Sequence, residues 1–186
     1  GMPFEQFLKE RIFKPLGMND TDFFVPADKV HRFAACYSAD PQGGFNPLAA
    51  ERKGTLTLQD DPTTSSFLSP PSLVSGGGGL CSTAADYLTF CRALLNGGEL
   101  GGVRLLGPKT LKLMASNHLP RGVHLPAMSR PMFAEAAYNG LGFGPGLAVP
   151  LPPAHPLTAR RPGDFNRGGP ATPPLLHRPA AAPRTT

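Results

Sequence analysis

Tryptophan is absent from this 186-residue sequence, and tyrosine and cysteine occur only three times each. The cysteines, Cys36, Cys81 and Cys91, are odd in number and form no Cys-x-x-Cys pair. They therefore predict neither a disulfide framework nor a metal site. Unpaired cysteines fit a reducing compartment, so we expect a cytoplasmic protein. No motif calls for a cofactor.

Long apolar runs and blocks of one charge are missing as well. No apolar stretch approaches the roughly 18 residues that a membrane-spanning helix needs, and no basic segment followed by an apolar one opens the sequence. The formal net charge is +5, but lysine and arginine are scattered and no aromatic platform accompanies them. Neither a membrane nor a nucleic acid is expected as a partner.

Glycine and proline are abundant, with 22 and 23 residues, about a quarter of the chain. Residues 150–186 alone hold ten prolines and five arginines against a single acid, Asp164. Such a segment buries too little apolar area to offset the entropy of ordering it. We therefore expect a compact domain over residues 1–149 and a disordered tail over residues 150–186.

The most informative stretch is 75–96, SGGGGLCSTAADYLTFCRALLN, which reads as a glycine loop followed by a helix. Thr83 is placed to cap the helix, and Asp86 puts a carboxylate in its first turn. Apolar residues then recur at helical spacing, and Gly97 lies where a glycine ends such a helix. The residues of this apolar face are Tyr87, Phe90, Cys91, Leu94 and Leu95.

A second amphipathic helix is predicted over residues 3–13, with Phe4, Phe7, Leu8 and Ile12 on one face and its end marked by Pro15 and Gly17. A helix of this length needs a partner for its apolar face.

Shorter elements follow the same reading. We expect an extended segment at 22–25, a short helix within 26–36, a strand at 54–58, a helix from Pro108, and a glycine-punctuated strand within 138–149.

Together these segments resemble the serine hydrolases related to class C β-lactamases, especially the carboxylesterases of that superfamily. The resemblance is carried by FKPLGMNDTDF, by SGGGGLCSTAADYLTFCRALLNGG, by GGVRLLGPKTLKLMASNHL and by YNGLGFG, over roughly residues 1–145. It implies an α+β fold, an antiparallel sheet flanked by helices with an added helical region. It also implies hydrolysis of a small-molecule ester or amide through a covalent serine ester.

The nucleophile of that family is missing from this sequence. The resemblance implies a Ser-x-x-Lys pair and a separate catalytic tyrosine upstream of residues 1–24, yet no serine here is followed three residues later by lysine. No catalytic residue is therefore assigned, and the chain is expected to be a C-terminal portion, inactive by itself.

The resemblance also implies a substrate-binding strand near the end of the chain. Arg167, Gly168 and Gly169 fall where the esterases have Trp-Gly-Gly, with arginine in place of the aromatic residue. The proline-rich residues 170–174 cannot form the central strand that should come next. A changed reading frame near residues 150–170 would produce such an ending.

A different class of function remains open beside this one. Without the rest of its fold, the chain could serve as a non-catalytic interaction module or pseudoenzyme remnant whose apolar faces bind a partner chain or a second copy. Phe4, Phe7 and Ile12 would then form the exposed patch.

Overall fold

The structure is a computed structural model, and it describes residues 1–38, 56–128, 140–151, 165–169 and 172–177. The chain divides into two compact units, residues 1–87 and 88–186. The boundary falls inside one helix, α3, Ala84–Leu95. The helices and short antiparallel sheets match the α+β prediction.

The first unit begins with a helical segment in three parts: α1, Phe4–Leu8, a π-helical turn, Lys9–Phe13, and α2, Lys14–Leu16. Gly17 ends the segment in the left-handed conformation, as predicted. Phe13 is buried, whereas Phe4 and Phe7 are exposed. The wider π turn shifts the position of Ile12 relative to Phe4, Phe7 and Leu8, and these four residues predicted to share one face are not buried together.

The rest of the first unit contains short elements. A 3₁₀-helix spans Ala27–Arg32, where a short helix was expected. Strands β1, Cys36–Ser38, and β2, Thr57–Asp60, pair antiparallel, with Tyr37 opposite Leu58. The predicted strand at 54–58 thus begins later, and residues 54 and 55 lie outside the described part of the chain. A second 3₁₀-helix spans Ser66–Leu68.

Helix α3 begins and ends where the sequence predicts. The Thr83 hydroxyl accepts a hydrogen bond from the Asp86 N–H at 3.2 Å, so Thr83 is the N-cap. Gly97 and Gly98 donate to the carbonyls of Leu94 and Ala93, which is the paired pattern of a glycine-terminated helix.

A two-stranded hairpin follows α3 and leads into the next helix. Strands β3, Glu99–Leu100, and β4, Val103–Arg104, are joined by two glycines with positive φ. Helix α4, Pro108–Met114, then begins at proline as predicted. A 3₁₀-turn, Pro120–Gly122, and a short α5, Leu125–Met128, follow.

The largest sheet has the strand order β5-β6-β7-β8, and all neighbouring pairs are antiparallel. These strands are β5, Leu141–Phe143, β6, Ala148–Pro150, β7, Phe165–Gly169, and β8, Thr172–His177. A buried cluster of Leu94, Leu111, Leu147 and Val149 forms the core of this second unit.

Glycines in β5 and just after it allow close packing. A side chain at Gly142 would overlap Asn117, and one at Gly144 would overlap the carbonyls of Met114 and Ser116. Asn117 uses the space by accepting hydrogen bonds from the N–H groups of Leu119 and Phe143. The predicted close approach of the backbone at this strand is therefore confirmed.

Strands β7 and β8 fall within the segment that was predicted to be a disordered tail. Of that segment the structure describes residues 150 and 151 and these two strands, and residues 152–164, 170–171 and 178–186 lie outside the described residues. Strand β8 contains Pro173 and Pro174 and lies at the end of the strand order. Successive N–H groups of a strand point to opposite sides, so one of the two prolines faces the open edge and the other faces β7. Neither has a paired residue, because the register of β7 and β8 is irregular between Arg167 and Gly169.

Candidate functional site

The three residues predicted to bind substrate lie in β7. Arg167 pairs with Leu175 of β8 and Gly169 pairs with Thr172, with an irregularity in the register between them. On its other side, β7 meets β6, where Asn166 lies opposite Ala148. The backbone of Arg167, Gly168 and Gly169 thus belongs to the sheet of the second unit, and their role in substrate binding stays a prediction.

A polar clamp joins the turn after α2 to the start of α3 in the first unit. The Asp86 carboxylate oxygen Oδ2 accepts hydrogen bonds from the Asp20 N–H at 2.8 Å and from the Thr21 hydroxyl at 2.9 Å. Thr21 is buried, so its hydroxyl needs such a partner. The sequence indicates only the helix-dipole role of Asp86, because its partners Thr21 and Asp20 lie 65 and 66 residues away.

The hydrogen bonds of this clamp fix the direction in which the Ser82 hydroxyl donates its proton. The Ser82 and Thr21 hydroxyl oxygens are 2.8 Å apart. Because Thr21 gives its single proton to the Asp86 carboxylate, its oxygen accepts from Ser82. The Ser82 proton is therefore directed at another hydroxyl and not at a base, which is not the arrangement of an activated nucleophile.

Asp20 holds an ion-pair group beside the clamp. Its carboxylate accepts two hydrogen bonds from Arg32, at 2.8 and 3.0 Å, and lies 2.7 Å from the Lys29 amine. Lys29 also donates to the Asn19 carbonyl. The Arg32 guanidinium, followed by Lys29, holds the pKa of Asp20 well below its usual range. The turn at residues 19–21 is thus fixed from two sides.

Acid should weaken the fold through Asp20. Because the pKa of this carboxyl is lower in the folded than in the unfolded chain, its stabilising contribution is present above the unfolded pKa of about 3.9 and is lost as the pH falls below it. We expect urea unfolding midpoints to drop between pH 5 and pH 2.5. The drop should be smaller in Arg32→Gln, and an equal drop in both proteins would contradict this origin.

The clamp and the ion pairs line a cleft of about 300 Å³ in the first unit. Its walls combine buried apolar residues with four cationic side chains, Lys9, Lys14, Lys29 and Arg32. Three of the four are paired, Lys9 with Asp22 at 3.2 Å and the other two with Asp20. Because Lys29 and Arg32 share one carboxylate, two acids face four cations, and the lining of this cleft keeps a positive charge.

A second cleft, of about 430 Å³, lies at the glycine loop of the same unit. Its apolar lining comes from Phe23, Phe67, Pro70, Pro71 and Leu73, and its polar lining from Ser66, Ser69, Ser72 and Ser75. Gly78 and Gly79 complete it, and Phe23 packs near Gly79. Apolar walls with a few hydroxyl groups are typical of sites for small organic molecules.

The other described serines of interest have structural partners. Ser65 is buried, donates to the Asp60 carboxylate at 2.8 Å and accepts the Phe67 N–H. Ser75 accepts the N–H of Gly77. These contacts shape the turns that contain the two serines.

Ser116 is the serine that lies next to a histidine. Its hydroxyl is 3.1 Å from Nε2 of His118, and that nitrogen is also 2.9 Å from the Leu113 carbonyl oxygen. A carbonyl oxygen only accepts, so Nε2 carries a proton there and cannot take one from Ser116. The pair closes the end of α4 instead of forming a catalytic couple.

Cys81, which lines the first cleft, is a poor nucleophile as well. All three cysteines are free thiols. Burial, and then the nearby Asp60 and Asp22 carboxylates, raise the pKa of Cys81 to about 11. The Cys81 thiolate, the reactive form, is therefore scarce at neutral pH.

Among residues of the described ranges, no three His, Cys, Asp or Glu side chains are grouped closely enough to hold a metal ion. No helix within those ranges is long and apolar enough to cross a membrane.

Known proteins resemble this chain in sequence. A profile of the Beta-lactamase family matches residues 1–162. An uncharacterized protein of Mycobacterium tuberculosis is 37% identical over 153 residues, which are 82% of this chain and 34% of that protein. A protein of Escherichia coli K12, provisionally named D-alanyl-D-alanine carboxypeptidase, is 29% identical over 122 residues, 63% of this chain and 27% of its own length. The chain thus spans about a third of the curated relatives it matches.

Solved structures resemble it in fold. EstCE1, described as a hydrolase with promiscuous acyltransferase activity, is 27% identical with a TM-score of 0.62, over 91% of this chain and 41% of EstCE1. Simvastatin synthase (LovD) from Aspergillus terreus is 24% identical with a TM-score of 0.65, over 91% of this chain and 39% of that enzyme.

Proposed function

We propose, since this chain belongs to the Beta-lactamase family, that it forms part of an enzyme that cleaves esters or amides by acyl transfer to a serine. The match of the family profile to residues 1–162 carries this proposal. In such a reaction the serine oxygen bonds to the acyl carbon while the alcohol or amine leaves with a proton. Water, or a second alcohol, then takes the acyl group and restores the serine.

The relatives support acyl transfer as the reaction class. EstCE1 is described as a hydrolase that also transfers acyl groups, and the simvastatin synthase shares the fold. The Escherichia coli relative bears the name of a carboxypeptidase, which cleaves an amide. Ester and amide cleavage both fit one mechanism, and the substrate of the enzyme to which this chain belongs is left open between them.

The chain's own part in the reaction would be binding. Its sequence has no Ser-x-x-Lys pair, and Ser65, Ser75, Ser82 and Ser116 all have structural partners. The cleft at the glycine loop offers apolar walls for an acyl or alcohol group. In the second unit, we propose Arg167, Gly168 and Gly169 of β7 as substrate-binding residues, because this stretch resembles the Trp-Gly-Gly of the esterases.

The chain by itself should show no saturable hydrolysis of a short-chain p-nitrophenyl ester or a chromogenic cephalosporin. The physical reason is that binding groups without a nucleophile and its base retain only a small residual rate enhancement. The measurement is initial rate against substrate concentration, together with intact mass after incubation with a fluorophosphonate. EstCE1, which is described as a hydrolase, provides the positive control for turnover.

Saturable turnover with a covalent adduct on a serine of this chain would contradict the proposal that the chain contributes only binding groups. Joining the chain to the remainder of a family domain and still finding no ester or amide cleavage would contradict the proposed function itself.

A further inference from the structure

The start of the first helix carries an apolar surface that the structure leaves open. Met2, Phe4 and Phe7 are 45%, 41% and 46% exposed, and no residue of α1 is buried. We call these three side chains the α1 face. Large apolar side chains grouped in this way on a surface mark a site of interaction.

Within the α1 face, the inner side of Phe4 packs against other residues of the first unit. The Phe4 ring lies 6.1 Å from the ring of Phe23, centroid to centroid, and a β-carbon added at Gly76 would lie 3.9 Å from the edge of the Phe4 ring. Phe23 is itself buried and packs near Gly79. Phe4 is therefore a fixed aromatic side chain with an open outer surface. Rigid aromatic groups of this kind contribute strongly to binding because little side-chain freedom is lost.

The comparisons indicate what covers this face. The matched fold accounts for 91% of this chain but only 41% of EstCE1, and the chain spans 34% of the Mycobacterium tuberculosis relative. The larger share of the family fold thus has no counterpart in these 186 residues. A helix that packs inside the longer proteins would keep its apolar residues here.

We infer that the α1 face is the docking surface for a polypeptide that carries the remainder of a Beta-lactamase-family fold. This inference rests on the proposed function, because the docked polypeptide would bring the nucleophile to the chain's binding clefts. The docking contact is apolar and centred on Phe4 and Phe7. Its strength should therefore depend little on salt, in contrast to a contact made by the charged residues of the same helix.

Binding tests this inference with the whole chain and a defined probe. The probe is the portion of the Mycobacterium tuberculosis relative that lies outside its matched region. We expect saturable binding by calorimetry, and at least a tenfold rise in Kd for Phe7→Gln and for the double variant Phe4→Gln/Phe7→Gln. The matched control is Leu88→Gln/Leu113→Gln, since these leucines are also exposed, at 59% and 55%. It should change Kd by less than twofold.

Folding of the variants is checked by thermal unfolding. If Phe7→Gln does not fold, hydrogen exchange of the wild-type chain is measured instead. We then expect the amides of Phe4–Leu8 to exchange more slowly when the probe is added. Absence of binding, equal Kd values for wild type and Phe7→Gln, or self-association of the chain through Phe7 would each overturn the inference.

Ester cleavage by the mixture is recorded separately. Docking without cleavage would leave this inference standing and count against the proposed function. If the mixture cleaves the ester equally well with wild type and with Phe7→Gln, the proposed function would stand and the docking inference would be contradicted.

Discussion

Replacing Gly98 with alanine should lower the free energy of unfolding by about 2–5 kcal/mol. Gly98 has a φ of +90°, which costs an L-residue about 1–2 kcal/mol. A β-carbon there would also lie 2.3 Å from the Leu106 carbonyl oxygen, and overpacking of this kind costs about 1–3 kcal/mol. The backbone cannot move aside easily, because the Gly98 carbonyl accepts the N–H groups of Leu105 and Leu106.

Gly97→Ala is the matched control for this substitution. Gly97 also has a positive φ, +74°, but a β-carbon at that position meets no other atom within 4 Å. Only the backbone strain remains, so we expect a loss of about 1–2 kcal/mol. Urea unfolding monitored by circular dichroism measures both. Equal losses in the two variants would show that the contact with Leu106 does not matter.

Asp86→Ala should have the second large effect, a loss of about 3 kcal/mol. It removes the acceptor of two hydrogen bonds and leaves the Asp20 N–H and the buried Thr21 hydroxyl without it. Hydrogen bonds to a charged group contribute about 1.5–3 kcal/mol each. Asp86→Asn should cost only about 1 kcal/mol, because both bonds use the single oxygen Oδ2 and an amide oxygen can take its place.

Asp61 provides the control for this comparison. Its carboxylate also accepts one backbone N–H and one threonine hydroxyl, both from Thr63, but in an exposed turn. Asp61→Ala should therefore have a much smaller effect than Asp86→Ala on urea unfolding. A milder loss in Asp86→Ala than in Asp86→Asn would contradict the proposed hydrogen-bond geometry.

Features set by neighbouring residues were predictable from the sequence. The Thr83 cap, the stop at Gly97, the end of the first helix at Gly17 and the start of α4 at Pro108 each depend on a few adjacent residues. The family could also be identified from its motifs, and the profile match confirms it.

Features set by distant contacts were not predictable. Asp86 was placed correctly in its helix, yet its partners lie more than 60 residues away. The pairing of β1 with β2 and the cleft at the glycine loop likewise depend on tertiary packing. The π turn at Lys9–Phe13 has no composition signal, so the altered register of the apolar face was missed.

The β1–β2 pair has a practical consequence for labelling the protein. Cys36 in β1 is an exposed free thiol, whereas Cys81 is half-buried and Cys91 is buried. A maleimide dye should therefore react first at Cys36, and it would let the chain be followed in binding experiments without altering either terminus.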